Sequence, residues 1–277
     1  MILALAGGVG GAKLAFGLAR LLPPQELVLA VNTGDDFEHL GLHVSPDLDT
    51  VMYTLAGIAN PETGWGQAEE SWAFMEALER MGGPTWFRLG DRDLATNVER
   101  TRRLKLGESL SQVTSELCQR LGVRHPVVPM SDDAVRTIVH TDVGALEFQE
   151  YFVKLQCRPR VYKIEYRAST GARPSAALGR VLSSKALSGI VICPSNPYLS
   201  IAPILALEGM RDAIASVRNV VAVSPIIGGR AVKGPAAKIM QELTTESSAT
   251  EAARFYQGLV HAFVIDRVDS ALAEDIR

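Results

Sequence analysis

Residues 1–36 read MILALAGGVGGAKLAFGLARLLPPQELVLAVNTGDD, and this stretch decides the fold. Two short apolar runs, Ile2–Ala6 and Leu27–Val31, each end in turn chemistry. Between them, Lys13–Leu22 carries apolar residues at helical spacing and stops at Pro23-Pro24, because proline cannot continue a helix. Strand, glycine loop, helix, strand is a βαβ unit. Its strands are parallel, since the helix has to cross back over the sheet.

The loop Gly7-Gly8-Val9-Gly10-Gly11-Ala12-Lys13 lets backbone approach a ligand closely and leads into a helix N-terminus with free N–H groups. Phosphate suits such a place, and Lys13 adds a positive charge. The dinucleotide fingerprint would need glycine where Lys13 stands, and the P-loop would need Gly-Lys-Ser/Thr; neither matches. A plain strand-to-helix turn with a surface lysine is the bland alternative.

The α/β rhythm returns later in the chain. Ile190–Cys193 runs into Pro194-Ser195-Asn196-Pro197, Val220–Val223 into Ser224–Gly229, a helical run covers Pro235–Leu243, and His261–Ile265 reads as a last strand. Between these halves the pattern is helical: Trp72–Met81, Leu94–Leu104 and Leu110–Leu121, the last capped by Ser109 or Ser111. The stretch from Thr137 to Tyr166 is rich in β-branched and aromatic residues and reads as strands. The expectation is a single α/β domain over residues 1–277, with a Rossmann-like parallel-sheet core and a mostly helical insert at about 55–125. Ligands of open parallel sheets bind beyond the carboxyl ends of the strands. The loops after Ala6, Val31, Cys193 and Val223 therefore converge on one site.

Composition narrows the partners. Twenty-eight basic against 31 acidic residues, net −3, gives no electrostatic case for nucleic acid. The apolar start has no basic leader and no run approaches a membrane span, so neither export nor membrane insertion is expected. Cys118, Cys157 and Cys193 are scattered and lack metal-ligand spacing, as expected of reduced thiols in the cytoplasm.

Four aspartates fall within 15 positions: Asp35 and Asp36 of NTGDD, then Asp47 and Asp49 of PDLDT. Mg²⁺ takes one or two carboxylates together with water and substrate phosphates, so Asp35, Asp36 and Asp49 are candidate metal or catalytic groups. Asp47 by itself reads as the cap of a helix over Leu48–Ala56, and His39 and His43 as packing or hydrogen-bonding residues. Arg88-Leu89-Gly90-Asp91-Arg92-Asp93 and Pro129-Met130-Ser131-Asp132-Asp133 are each either a local cap or part of a cleft. Pro194-Ser195-Asn196-Pro197 fixes hydroxyl and amide groups between two prolines, suited to a nucleotide or simply to a rigid turn.

Taken in order, GGVGGAK, NTGDD, GLHVSPDLDTVMYTLAG, GWGQ, LGDRDLATNVERT, PMSDDAVRT, FQEYFV, PSNPYLSIAPIL, SPIIGG and VKGPAAKIM resemble the 2-phospho-L-lactate transferase family (CofD/FbiA-like) of coenzyme F420 biosynthesis. The resemblance implies transfer of a phospho-(three-carbon acid) group from lactyl-, enolpyruvoyl- or glyceryl-diphosphoguanosine. The acceptor would be the terminal ribityl hydroxyl of the deazaflavin Fo, with release of GMP. It also implies Mg²⁺ held by Asp35 and Asp49, and catalysis by Asp35 and Asp36. Asp49 and Arg88 would contact the deazaflavin. Gly7, Gly8, Gly10, Gly11 and Lys13 would meet the donor phosphates, with Ser195 and Asn196 on the guanosine side, in a protein expected to be a homodimer. Two departures stand out: Asn97 occupies a place where the family usually has histidine, and the chain stops at Arg277, short of its relatives. A nucleotide-sugar-binding regulator of the same architecture and an NAD-dependent dehydrogenase are the competing readings; the residue at Lys13 argues against the dehydrogenase.

Overall fold

The computed structural model describes residues 1–168, 171–231, 234–244 and 246–277, so Val232 and Lys233 of the VKGPAAKIM motif lie outside the described residues. The opening unit is β1 (Ile2–Ala6), α1 (Gly8–Leu21) and β2 (Leu27–Val31), with the two strands parallel and Ala6 level with Val31. A hairpin, β3 (Phe37–His39) and β4 (Leu42–Val44), leads into α2 (Pro46–Ala56). Then come α3 (Ala73–Arg80), α4 (Asp91–Lys105), α5 (Leu110–Arg120) and β5 (Val127–Pro129). Next, β6 (Val135–Thr141), β7 (Gly144–Glu147) and β8 (Val161–Ala168) form a separate antiparallel sheet. The chain returns to the core through β9 (Gly189–Ile192) and β10 (Val220–Val223), adds the short ribbon β11 (Ile226–Ile227) and β12 (Arg230–Ala231), and closes with β13 (Ala262–Val264).

The core is one parallel sheet of six strands in the order β13-β10-β9-β1-β2-β5. The order reverses between β1 and β9, and such switch points open a crevice for ligands. Both faces are covered, so β1 and β2 read as continuous apolar runs rather than alternating ones. Leu3 and Leu5 join the cluster beneath Ile201, Ile204, Met210 and Ile214. Ala4 and Ala6 face the opposite cluster, with Ala12 and Ala15 of α1, Leu48 and Met52 of α2, and Val113 and Leu117 of α5. The small alanines let α1 approach: a Cβ on Gly11 would already sit 3.3 Å from Cα of Ala6.

The expected α/β core is therefore what forms, with three local differences. Helix α1 begins at Gly8 rather than Lys13, so the glycine loop is itself the first helical turn. Helix α5, read as part of the insert, packs into the sheet's own apolar cluster, starting at a Ser109 capping box with Gln112. Glu150–Lys154, which takes in the last four residues of FQEYFV, is a π-helical turn, not a strand. Among the described residues no helix is long and apolar enough to cross a membrane.

Candidate active site

A cleft of about 650 Å³ opens at the carboxyl ends of β1, β2, β9 and β10, within the size range of small-molecule sites. Its floor is where the loops after β1 and β9 interlock. The Gly7 N–H donates to Ser195 Oγ (3.0 Å), and that hydroxyl donates back to the Gly7 carbonyl (2.8 Å). Gly10 has no room for a side chain, since a Cβ there would meet the Pro194 carbonyl oxygen at 2.4 Å. Gly8 adopts φ +61°, which glycine tolerates, and its N–H donates to Asp47 Oδ1 (2.6 Å). Two N–H groups of the loop are thus engaged within the protein. Those of Val9 and Gly10, in the first turn of α1, lack a helical partner by geometry and border the cleft.

Three carboxylates crowd beside this loop. The Asn32 amide donates to both Asp35 Oδ1 (2.9 Å) and Asp47 Oδ2 (3.0 Å). Burial pushes the Asp35 carboxyl well above its ordinary range, and the charges of Asp47 and Asp36 push it further. Asp47 is raised to about 6, chiefly by burial, against the opposing pull of the Asn32 and Gly8 donors. Asp36 lies behind them: its Oδ2 accepts from Ser45 Oγ (2.8 Å) and meets His43 Nε2 at 3.0 Å, and its Oδ1 is buried without a partner. Such a crowd of carboxylates beside the glycine loop, each costly to ionise next to the others, suits a divalent cation. Among the described residues no set of three or more His, Cys, Asp or Glu side chains holds a metal by itself. A cation here would draw on Asp35 and Asp47 plus oxygens of its substrate, the usual arrangement for Mg²⁺.

Asp49 sits in a different network. Arg100, 1% exposed, donates Nη1 to Asp49 Oδ2 (3.1 Å) and Nη2 to Asp49 Oδ1, and its Nη1 also reaches Asn97 Oδ1 (2.8 Å). Burial raises the Asp49 carboxyl and the Arg100 guanidinium opposes that. With its charge already answered by the Arg100 guanidinium, Asp49 is not disposed to ligate metal as well. Four residues along α2, the Tyr53 hydroxyl donates to Asp93 Oδ1 (2.8 Å). Asp93 lines the cleft, as do Asp49 and Arg88, and the Arg88 guanidinium lies over the Trp72 ring at 4.2 Å. Trp65, Phe87, Phe148 and Phe152 add aromatic surface to the same cleft.

Of the residues singled out in the sequence, Gly7, Gly8, Gly10, Lys13, Asp35, Asp49, Arg88, Ser195 and Asn196 all line this cleft. Gly11 is buried behind it, its missing side chain leaving room for Ser195 Oγ. Ser195 clamps the first loop, and Asn196 Oδ1 caps the following turn by accepting from Tyr198 and Leu199 N–H, leaving its own amide nitrogen unpartnered. Asp47 is not a helix cap: Pro46 takes the first position of α2 and Ser45 precedes it, so the Asp47 side chain turns to the glycine loop. Asp132 holds the start of α5 through Ser111, and Asp133 accepts from the Arg173 N–H, so that acidic turn is structural. Asp91 likewise holds the start of α3. Sequence reasoning missed Asn32, Tyr53, Arg100 and the separate position of Asp93. The spacing of Asp93, Asn97 and Arg100, which falls on one helical face, was a usable signal.

The family model for 2-phospho-L-lactate transferase CofD matches residues 2–275. A phosphoenolpyruvate transferase of Streptomyces griseus is 43% identical, covering 99% of this chain and 88% of that protein. A 2-phospho-L-lactate transferase of Methanocaldococcus jannaschii is 38% identical, covering 100% and 89%. A UPF0052 family member from Bacillus halodurans, 14% identical, superposes with a TM-score of 0.60 over 99% of this chain and 83% of its own, a likeness of fold alone. With its sequence matched almost end to end and its carboxylates gathered at the switch point of the sheet, this transferase belongs to the 2-phospho-L-lactate transferase CofD family.

Proposed function

We propose that this protein moves a phospho-(three-carbon acid) group from a guanosine diphosphate derivative to the terminal ribityl hydroxyl of the deazaflavin Fo, in coenzyme F420 biosynthesis, releasing GMP. The observation that carries the reading is that one cleft gathers two sets of groups. One set is the first-turn N–H groups of α1, Lys13 and the Asp35–Asp47 pair; the other is aromatic rings, Arg88, Asp49 and Asp93. A diphosphate fits the first and a flat heteroaromatic acceptor the second, with the reacting phosphorus between them.

In this reading the first turn of α1 and Lys13 orient the donor phosphates, and the Pro194–Pro197 turn, held by the Asn196 cap, borders the nucleotide. Arg88, its guanidinium placed over the Trp72 ring, presents a planar cation to the acceptor. Asp49, locked by Arg100, accepts from an acceptor hydroxyl or ring N–H without needing to reorganise. Mg²⁺ bound at Asp35 and Asp47 would neutralise charge on the diphosphate. GMP leaves as a phosphate, so charge neutralisation matters more than proton donation to it.

The test is direct: protein, Fo, Mg²⁺ and each of the lactyl, enolpyruvoyl and glyceryl donors, followed by chromatography for GMP. Product with at least one donor, lost on chelation with EDTA, is the expected outcome. Nucleotide binding without GMP from any donor would instead mark a binding protein of the same fold.

A further inference from the structure

We propose that Asp93 is the catalytic base, taking the proton from the acceptor hydroxyl as that oxygen attacks phosphorus. The inference rests on the function proposed above and follows from where each cleft carboxylate is engaged.

Four carboxylates line the cleft: Asp35, Asp47, Asp49 and Asp93. Asp35 accepts from Asn32 and faces Gln149, whose amide lies 3.5 Å from its Oδ2. Asp47 has one oxygen on the Gly8 N–H and the other on Asn32. Asp49 has both on the Arg100 guanidinium. Asp36, the remaining member of the cluster, does not line the cleft and is engaged by Ser45 and His43. Asp93 differs from all of these. Its Oδ1 accepts from two neutral donors, the Tyr53 hydroxyl at 2.8 Å and the Asn97 amide at 3.4 Å, and among the described residues its Oδ2 accepts from none. One oxygen is therefore held while the other faces an open cleft.

The placement is also right. Asp93 sits in the first turn of α4 and shares its network with Asp49, the residue assigned above to the acceptor, and among the described residues no hydrogen bond ties it to the glycine loop. Its main chain is fixed by a bond from its own N–H to Glu70 Oε1 (2.9 Å). The charged and titratable groups facing it are Asp49 and Tyr53 from α2, Arg100 from its own helix, and Glu70 from the preceding segment. Burial, reinforced by the Asp49 charge, lifts the Asp93 carboxyl to about 7, while the Tyr53 bond and Arg100 oppose the rise. A base so poised is half-ionised near neutrality and a stronger proton acceptor than an ordinary carboxylate. Burial holds the Tyr53 phenol well above its ordinary range, so it stays a donor throughout.

The step balances. The acceptor oxygen forms a bond to the phosphorus carrying the three-carbon acid, its proton passes to Asp93 Oδ2, and the bridging P–O bond breaks with its electron pair leaving on GMP. Asp93 then returns its proton to water.

The experiment measures GMP release from pH 5.5 to 9 for wild type, Asp93→Asn and Tyr53→Phe, with a thermal melt of each. Asp93→Asn keeps an oxygen for Tyr53, and kcat is expected to fall about 10²–10⁴-fold with the acceptor KM changed by less than about threefold. The wild-type rise in kcat/KM near pH 7 should vanish in that variant. Tyr53→Phe removes a bond that favours the ionised form, so its rise should move to higher pH while activity recovers there. If wild type turns over but Asp93→Asn keeps kcat within about threefold, or its pH rise persists, the assignment of the base falls and the transferase reading stands. If Asp93→Asn loses its fold, an unmoved rise in Tyr53→Phe overturns the assignment. No GMP from wild type overturns both.

Discussion

Replacing Arg100 with methionine is expected to destabilise the protein by about 3–5 kcal/mol, the usual consequence of removing one partner of a buried ion pair. The structure supports the same magnitude from its parts. Arg100 is 1% exposed and makes two charged hydrogen bonds to Asp49, itself 5% exposed. Each such bond contributes about 1.5–3 kcal/mol, and methionine fills the apolar part of the volume but supplies no donor. The cost is mostly the stranded Asp49 charge, so it depends on pH with a definite sign. Without Arg100 the folded-state pKa of Asp49 rises further above its unfolded value. Stability is then complete only below the unfolded pKa and is lost as pH climbs through the folded one. The gap between wild type and Arg100→Met should therefore be widest above neutrality and narrow towards pH 5. Urea unfolding followed by circular dichroism at pH 5, 6.5 and 8 measures it directly. A loss of 3–5 kcal/mol corresponds to roughly 6–20 °C in Tm for a chain approaching this length. Replacing Asp49 and Arg100 together by leucine should recover most of the loss, because no charge is then left unpaired. A cost below about 1 kcal/mol, or a gap indifferent to pH, would refute the view that this pair is a buried, mutually dependent unit.

Gly10→Ala places a Cβ against the Pro194 carbonyl oxygen, 2.4 Å away, so the two switch-point loops must part; GMP affinity by calorimetry is expected to drop at least about tenfold. Asp47 and Asp93, raised to about 6 and about 7, favour the protonated folded state, so their contribution to stability is full below about pH 4, falls steadily as pH rises, and is gone above about pH 6 for Asp47 and about pH 7 for Asp93. A higher Tm at pH 5 than at pH 8, with part of the difference removed in Asp47→Asn, checks this. Adding Mg²⁺ at pH 8 should restore stability if Asp35 and Asp47 hold it, and a Tm indifferent to the ion would remove that claim. Arg88→Ala, which leaves Trp72 without its cation, should raise the acceptor KM about tenfold and leave the donor KM unchanged.

What the sequence disclosed and what it hid have physical reasons. The opening βαβ unit was legible because its apolar runs, glycines and Pro23-Pro24 are all local signals with one joint solution. FQEYFV misled because burial, not strand geometry, selects its residues: Tyr151 is fully buried, and Phe148 stacks on Phe152 at 5.3 Å across a π-helical turn. Asp47 misled for the opposite reason. Its local context is that of a helix start, but its partner Gly8 lies 39 residues earlier, and no window along the chain contains both.

The polar lattice between α2 and α4 was hidden at one level and readable at another. Asp93, Asn97 and Arg100 taken alone are an ordinary charged helix face, which composition assigns to solvent. Asp49 and Tyr53, four apart on α2, share a face of an otherwise apolar helix, and a carboxylate on a core-facing stripe demands a partner. Set side by side, the two faces pair in opposite order: Asp49 with Arg100, and Tyr53 with Asp93. The acid in each pair meets a donor long enough to span the gap between helices. That complementarity explains how the insert, remote in sequence from the glycine loop, is held in register with it. It also means a single buried lattice fixes Asp49 by a charge and Asp93 by a neutral hydroxyl. Two carboxylates of the cleft are thereby held in different ways, one facing a guanidinium that favours its ionised form and the other a neutral donor with its second oxygen left unpaired among the described residues.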